Sequence, residues 1–141
     1  LALNVYRKPL QPAITGLADL SGQKVILIGA YSYGPLGQQL ASPQARVEIA
    51  HAQSHAAALQ MLLHGRAPYL INYADPMNGM LDDLPADSVT SDPLLRMDVY
   101  LFVSRAHPDA RGLLDRLDRA LTQLEQRGQV QQILGAADYR H

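Results

Sequence analysis

The chain has 141 residues, 12 Lys plus Arg against 13 Asp plus Glu, a formal net charge of −1 and no cysteine. That balance argues against a non-specific nucleic-acid binder, which needs an excess of cations to displace phosphate counterions, and the missing thiols exclude disulfides, iron–sulfur clusters and cysteine-ligated zinc. A 48% hydrophobic share suits a folded domain, yet the apolar runs, such as 25–30, are far shorter than the roughly 20 residues that cross a bilayer. The chain opens at Leu1 without an initiator Met and without a basic, apolar leader, so it is expected to be a processed chain or a piece of a longer one.

Residues 1–6 alternate apolar and polar side chains and predict a short strand. Pro9, Pro12 and Gly16 mark a linker. Residues 24–30 are β-branched and nearly all apolar, the pattern of a parallel strand covered on both faces. Tyr31 to Pro35 leads into a helix over 35–41, which Ser42-Pro43 stops, and alternation over 46–50 predicts another strand. Ser54 is an N-cap for a helix over 55–64. Ala57, Ala58, Met61 and Leu62 supply its apolar face, and Gly65 takes the position after its end. A strand over 68–73 follows. Residues 25–73 therefore read β-α-β-α-β, which implies a mainly parallel sheet with right-handed crossovers. Residues 75–93, rich in Asp and Pro, are expected to be mostly loop with a helical turn near 77–81. Residues 98–104 predict one more strand. His107-Pro108-Asp109 signals a helix start, and the spacing of Leu113, Leu114, Leu117, Ala120, Leu121 and Leu124 predicts an amphipathic helix over Ala110–Gln126. Gly128 ends it, a short helix follows over Gln129–Leu134, and 135–141 is expected to fray.

The turn over 29–34 joins the carboxyl end of a buried strand to a helix. Open α/β sheets bind ligands at that end, and free N–H groups at a helix start attract carboxylate or phosphate. Ser32 offers a hydroxyl there, and Tyr31 and Tyr33 offer aromatic walls; the competing reading is a plain cap with packing tyrosines. Asn72, Tyr73 and Asp75 close the strand over 68–73 and face the same crevice, against which stands the ordinary turn chemistry of Asn and Asp-Pro. The glycines lack dinucleotide-binding spacing, and no Gly-Lys-Ser/Thr occurs. His51 and His55 are four apart, but His51 precedes the Ser54 cap, so the two are not expected on one helical face and no metal site is expected. Ser32 lacks a Gly-x-Ser-x-Gly elbow, and Asp82-Asp83 lies in a polar loop; neither a catalytic residue nor a cofactor is expected.

Leu17-Ala18-Asp19-Leu20-Ser21-Gly22-Gln23-Lys24-Val25 resembles the entry to the second lobe of family 3 periplasmic solute-binding proteins, the amino-acid-type receptors of ABC transporters. Residues 29–33 fall where that family has its Gly-Ser/Thr-Thr-Tyr ligand turn. Residues 56–67 are similar to its Ala-Leu helix and Gly-Arg turn, here Gly65-Arg66. Residues 98–103 resemble the strand that returns to the first lobe, and 108–134 its closing helices, Gly128 and Ile133-Leu134 included. The resemblance implies an α/β, type II periplasmic-binding-protein lobe with a mainly parallel sheet and C-terminal helices. On that pattern 1–20 is the end of the first lobe and a hinge, 21–96 the second, ligand-binding lobe, and 97–141 the return hinge and the first lobe's C-terminal helices, with hinges near 7–12 and 96–99.

The function this resemblance implies is a non-enzymatic periplasmic protein that closes on a small polar or amino-acid-like solute and delivers it to a membrane permease. The alternatives are an extracytoplasmic sensor module of a signalling protein or an enzyme on the same scaffold. The ligand contacts implied are Tyr31, Ser32, Tyr33, Ser54, Tyr73 and Asp75. Ser32 matches the hydroxyl that grips a ligand carboxylate in the family. Tyr73 stands where the family has the aspartate that binds an α-ammonium, with Asp75 two residues on, so ordinary amino acids are expected to bind weakly. With most of a first lobe absent, the leucines of 113–124 and the strand over 98–104 lack partners, and the chain is expected to form a two-fold homodimer.

Overall fold

The computed structural model describes residues 1–98 and 100–134. In chain order the elements are β1 (Ala2–Arg7), a 3-10 turn (Leu17–Leu20), β2 (Lys24–Ile28), α1 (Gly34–Ala41), β3 (Glu48–Ala52) and α2 (His55–Leu63). Then come β4 (Tyr69–Tyr73), α3 (Ala74–Asp82), β5 (Thr90–Arg96), α4 (Ala110–Gln126) and α5 (Gln129–Leu134). The chain divides into two units, Leu1–Met97 and a second beginning at Asp98.

The first unit is a five-stranded sheet of order β3-β2-β4-β1-β5. β2 pairs in parallel with β3, from Lys24 opposite Glu48 to Ile28 opposite Ala52, and in parallel with β4 at Val25–Tyr69 and Ile26–Leu70. β1 lies antiparallel between β4 and β5. The sheet is therefore mixed: the β-α-β-α-β portion is parallel as its pattern predicts, and β1 and β5 add two antiparallel ladders. Residues 1–6, which the family resemblance assigns to a preceding lobe, are hydrogen-bonded inside this sheet.

Alternate residues of each strand feed two cores, as a period of two requires. Leu3, Val5, Val25, Leu27, Tyr69 and Ile71 pack on one face with Leu36 and Leu40 of α1. Tyr6, Ile26, Ile28 and Leu70 pack on the other with Ala58, Leu59 and Leu62 of α2 and Met77 of α3. Both faces of β2 are thus covered, which is why its sequence is a continuous apolar run rather than an alternating one.

Several expectations differ from the structure. The strand expected over 46–50 is β3, at Glu48–Ala52. Within 75–93, expected to be mostly loop, α3 is a nine-residue helix and β5 begins at Thr90. Pro76 reads as a breaker, yet it sits in the first turn of α3, where the missing N–H costs no hydrogen bond. Pro93 reads as a strand stop, yet β5 is an edge strand, and the register with β1 shifts at this point, between Leu3 and Asn4. Arg7 Nε and Nη2 donate to the two Asp92 carboxylate oxygens at 2.7 and 3.1 Å, and Ile14 N–H donates to Asp92 at 2.9 Å, so one carboxylate joins β1, β5 and the loop after β1.

The strand expected over 98–104 does not form among the described residues, and Tyr100, Leu101 and Phe102 are exposed. β propensity without a hydrogen-bonding neighbour does not make a strand. In the second unit α4 and α5 have the predicted bounds and pack on one another. Asp109 caps α4 by accepting from Gly112 N–H at 3.2 Å. The tail expected over 135–141 lies outside the described residues.

Candidate functional site

Because β2 and β4 are parallel neighbours, the segments leaving their carboxyl ends are side by side. Tyr33 joins them. It takes a left-handed φ of 55° as the N-cap of α1, at a cost of about 1–2 kcal/mol. Its ring goes under the turn, where its hydroxyl accepts from Ile28 N–H at 2.8 Å and donates to the Ile71 carbonyl at 3.4 Å. Burial pushes this phenol from the ordinary 10.0 up to about 12, against the lowering effect of the Ile28 N–H and with smaller raising effects from Tyr73 and Tyr31. Gly37 of α1 lies so close to the Ser32 carbonyl that a Cβ there would collide with it, and this close approach seats the turn on the helix.

Above Tyr33 the Tyr73 ring is parallel at 6.0 Å. Tyr31 meets Tyr73 nearly edge-on, 5.5 Å between centroids and 73° between planes. Burial, then the neighbouring Tyr31, raises the Tyr73 phenol above its ordinary value. Tyr31, His55, Tyr73 and Asp75, with Leu1 and Pro76, line an open cleft of about 390 Å³.

A hydrogen-bond chain runs along one wall. Tyr73 N–H donates to Asn72 Oδ1 at 2.9 Å, which identifies that atom as the amide oxygen, since a backbone N–H can only donate. His55 Nδ1, 3.1 Å from the same oxygen, must then carry a proton. In the neutral ring Nε2 is consequently an acceptor, and it takes the Tyr31 hydroxyl proton across 3.1 Å. Asn72 is fully buried, and its Nδ2 has no hydrogen-bond partner.

The structure brings Tyr31, Tyr73 and Asp75 together in the cleft and places Tyr33 beneath it as a support, its hydroxyl bonded on both sides. It does not bring Ser32 or Ser54 into the lining. Ser32 Oγ accepts from Gly34 N–H at 3.4 Å and Ser54 Oγ from Ala57 N–H at 3.1 Å, so each closes a local turn or cap. The residue missing from the expected contacts is His55, weighed in the sequence only as half of a metal pair. Its signal was the Ser54 cap, which fixes His55 as the first residue of α2 at a strand's carboxyl end. Among the described residues no group of three or more His, Asp or Glu side chains is placed to hold a metal ion.

No family model matches the sequence, and no curated protein matches it. Solved structures do. An ancestral arginine-binding protein bound to arginine aligns with a TM-score of 0.71 at 19% identity over 94% of this chain and 57% of its own. The amino acid ABC transporter substrate-binding protein AbpA of Streptococcus pneumoniae, bound to L-arginine, aligns at 0.66 and 14% identity over 96% and 56%. The GluR0 ligand-binding core with L-glutamate aligns at 0.68 and 10% identity over 95% and 60%. The fold is the type II periplasmic-binding-protein lobe, its structural neighbours include amino-acid ABC transporter substrate-binding proteins, and the chain spans 56–60% of the length of these three structures.

Proposed function

We propose that this chain is the ligand-binding lobe, with a helical tail, of a periplasmic solute-binding protein that takes a small polar or amino-acid-like solute for an ABC-type importer. The observation that carries this reading is the meeting of Tyr31, His55, Tyr73 and Asp75 in one cleft at the carboxyl ends of two adjacent parallel strands, where open sheets bind ligands. The fold shared with substrate-binding proteins supports it. In this reading β1 belongs to the binding lobe, residues from Asp98 onward return to a partner lobe, and closure of the two covers the solute.

The reading is non-enzymatic. Tyr31, His55 and Asn72 have the order of a nucleophile, a base and an orienting group. Such a chain also requires donors placed for the negative charge that develops in acyl transfer, and the charged side chain lining this cleft is the carboxylate of Asp75. A sensor module of a signalling protein remains the second reading, since the GluR0 core shares the fold. A kinase region or membrane helix encoded after residue 141 would favour it.

Calorimetric titration of the full-length protein with amino acids and small polar solutes tests the proposal. A saturable ligand is expected, with its heat lost in Tyr31→Ala and Tyr73→Ala. A ligand whose binding is the same in both variants would place the site elsewhere and overturn the assignment.

A further inference from the structure

We infer that the outer edge of β3 takes up an extended peptide segment of a partner protein, one that carries carboxylates beside apolar side chains. β3 ends the sheet on one side and β5 on the other. An open edge offers unpaired N–H and C=O groups to any strand that meets it, and proteins blunt such edges with proline, register breaks and charge. β5 has Pro93 at its register shift and holds Asp92 against Arg7. β3 has no proline. Its backbone leaves the edge open. Glu48 N–H donates to the Gln23 carbonyl, and the Ala52 carbonyl accepts from Gly29 N–H. Alternate residues of a strand bond to the same side, so Glu48, Ala50 and Ala52 bond to β2, while Ile49 and His51 turn their N–H and C=O outward, where no strand follows.

Beside that edge lies a groove of about 440 Å³, lined in part by His51, by Ala57, Gln60 and Met61 of α2, and by His64 and Arg66 just after it. It shares no described lining residue with the cleft at Tyr31 and Asp75. A strand laid along β3 runs about 4.8 Å from it and sends every second side chain toward α2. There the half-buried Ala57 and Met61 meet apolar atoms, and Arg66 meets a carboxylate. No carboxylate is among the described residues that line the groove, and Arg66 makes no salt bridge with a described residue. Glu48 faces the α2 side as Ala50 and Ala52 do, but Lys24 answers its charge at 2.6 Å. The final carbonyls of α2, those of Gln60, Met61 and Leu62, already accept from the N–H groups of His64, Arg66 and Gly65. Neutral His64 adds no charge, its Nδ1 donating to the Gln60 carbonyl at 2.8 Å. Main-chain pairing thus supplies the hold, and Arg66 with Met61 the choice of sequence.

The probe is the capped peptide Glu-Thr-Val-Thr-Glu, which presents Glu, Val and Glu on one face in either strand direction. It is titrated into the isotope-labelled 141-residue chain while the backbone amides are followed by NMR. The Ile49 and His51 amides should shift and gain protection from hydrogen exchange, while those of Glu48, Ala50 and Ala52 stay protected by β2 throughout. Lys-Thr-Val-Thr-Lys is expected to bind about fivefold more weakly, and Arg66→Gln should bring the two peptides level. N-methylation of the peptide's interior amides should abolish binding. His51→Pro should do the same, since it removes an outward N–H and leaves the ladder to β2 whole. Should that variant fail to fold, the N-methylated peptide makes the same test on the unaltered chain. No response at Ile49 and His51 to either peptide, or an undiminished response to the N-methylated one, overturns the docking edge. So does a shift of these amides with protein concentration alone, which assigns the edge to a second copy. A Lys peptide that binds as tightly as the Glu peptide overturns the preference for carboxylates.

Discussion

Tyr33 does two jobs with one side chain. Its ring supports Tyr73, and its hydroxyl ties the end of β2 to β4. Tyr33→Phe keeps the ring and leaves the Ile28 N–H without its buried acceptor, which is expected to cost about 1–3 kcal/mol, read as a lower urea midpoint with an unchanged slope. The same hydroxyl predicts an alkaline limb. Burial raises its folded value to about 12, so its neutral form is favoured in the folded state. That contribution is whole below the unfolded value near 10 and is lost as pH rises from there to about 12. Tyrosine absorbance titration should show one phenol that ionises only as the protein unfolds, and the Tyr33→Phe variant should lack that phase. Tyr31, Tyr73 and Asp75 were legible as site candidates because strand order alone puts the ends of β2 and β4 together. Ser32 and Ser54 are ligand contacts on the family pattern, but each hydroxyl accepts from a backbone N–H two or three residues on, for Ser54 in the capping role its sequence position predicts. The role of His55 depends on Asn72, 17 residues away in sequence, and no local pattern encodes that pairing.

Among the elements, Gly37 of α1 and Gly79 of α3 separate backbone preference from packing. Gly79 is an exposed residue of α3 at which a Cβ meets nothing within 4 Å. Gly79→Ala should therefore stabilise by about 0.5–1 kcal/mol. Gly37→Ala carries the same propensity gain and drives a Cβ into the Ser32 carbonyl, so it should destabilise and shift the Tyr31 and Tyr33 resonances. Differential scanning calorimetry should move in opposite directions for the two. The Arg7–Asp92 pair carries β5. The Arg7 hydrogen bonds, helped by the Ile14 N–H, hold the Asp92 carboxyl below its ordinary 3.8 despite the opposing effect of burial. Its stabilisation is thus whole above about pH 4 and fades as pH falls through the depressed value. Asp92→Ala leaves Arg7 largely buried without its counter-ion, with only the Gln11 carbonyl still accepting from it, and should cost about 3 kcal/mol at neutral pH, with less added loss on acidification than in the unaltered chain. Elements whose cause is local were legible: β2 from its apolar run, α2 from Ser54 and Gly65, and α4 from Asp109 and its leucine spacing. β5 was not, and α3 was legible only as a helical turn near 77–81, because Pro93 and Pro76 are tolerated for reasons of position, an edge and a first turn, that the sequence alone does not display.

At the scale of the whole molecule, the second unit carries more apolar surface than its two helices cover. α4 packs on α5, yet no residue of α4 is buried, and Leu121 is 37% exposed. Tyr100, Leu101 and Phe102 precede it with exposures of 76, 59 and 92%. Keeping such side chains in water forgoes about 1.5–3 kcal/mol for each. A second copy of the chain can recover part of this by pairing the same surface on both sides of a two-fold axis. The 141-residue chain is therefore expected to sediment as a dimer at micromolar concentration and to dissociate on dilution. Leu117→Glu with Leu121→Glu places charges in the middle of the α4 stripe and should shift the equilibrium to monomer. The melting transition of the Leu1–Met97 unit, followed through its tyrosines, should be left in place. Light scattering that returns a monomer across the same range would show that the stripe and the Tyr100–Phe102 segment are not covered by a second copy.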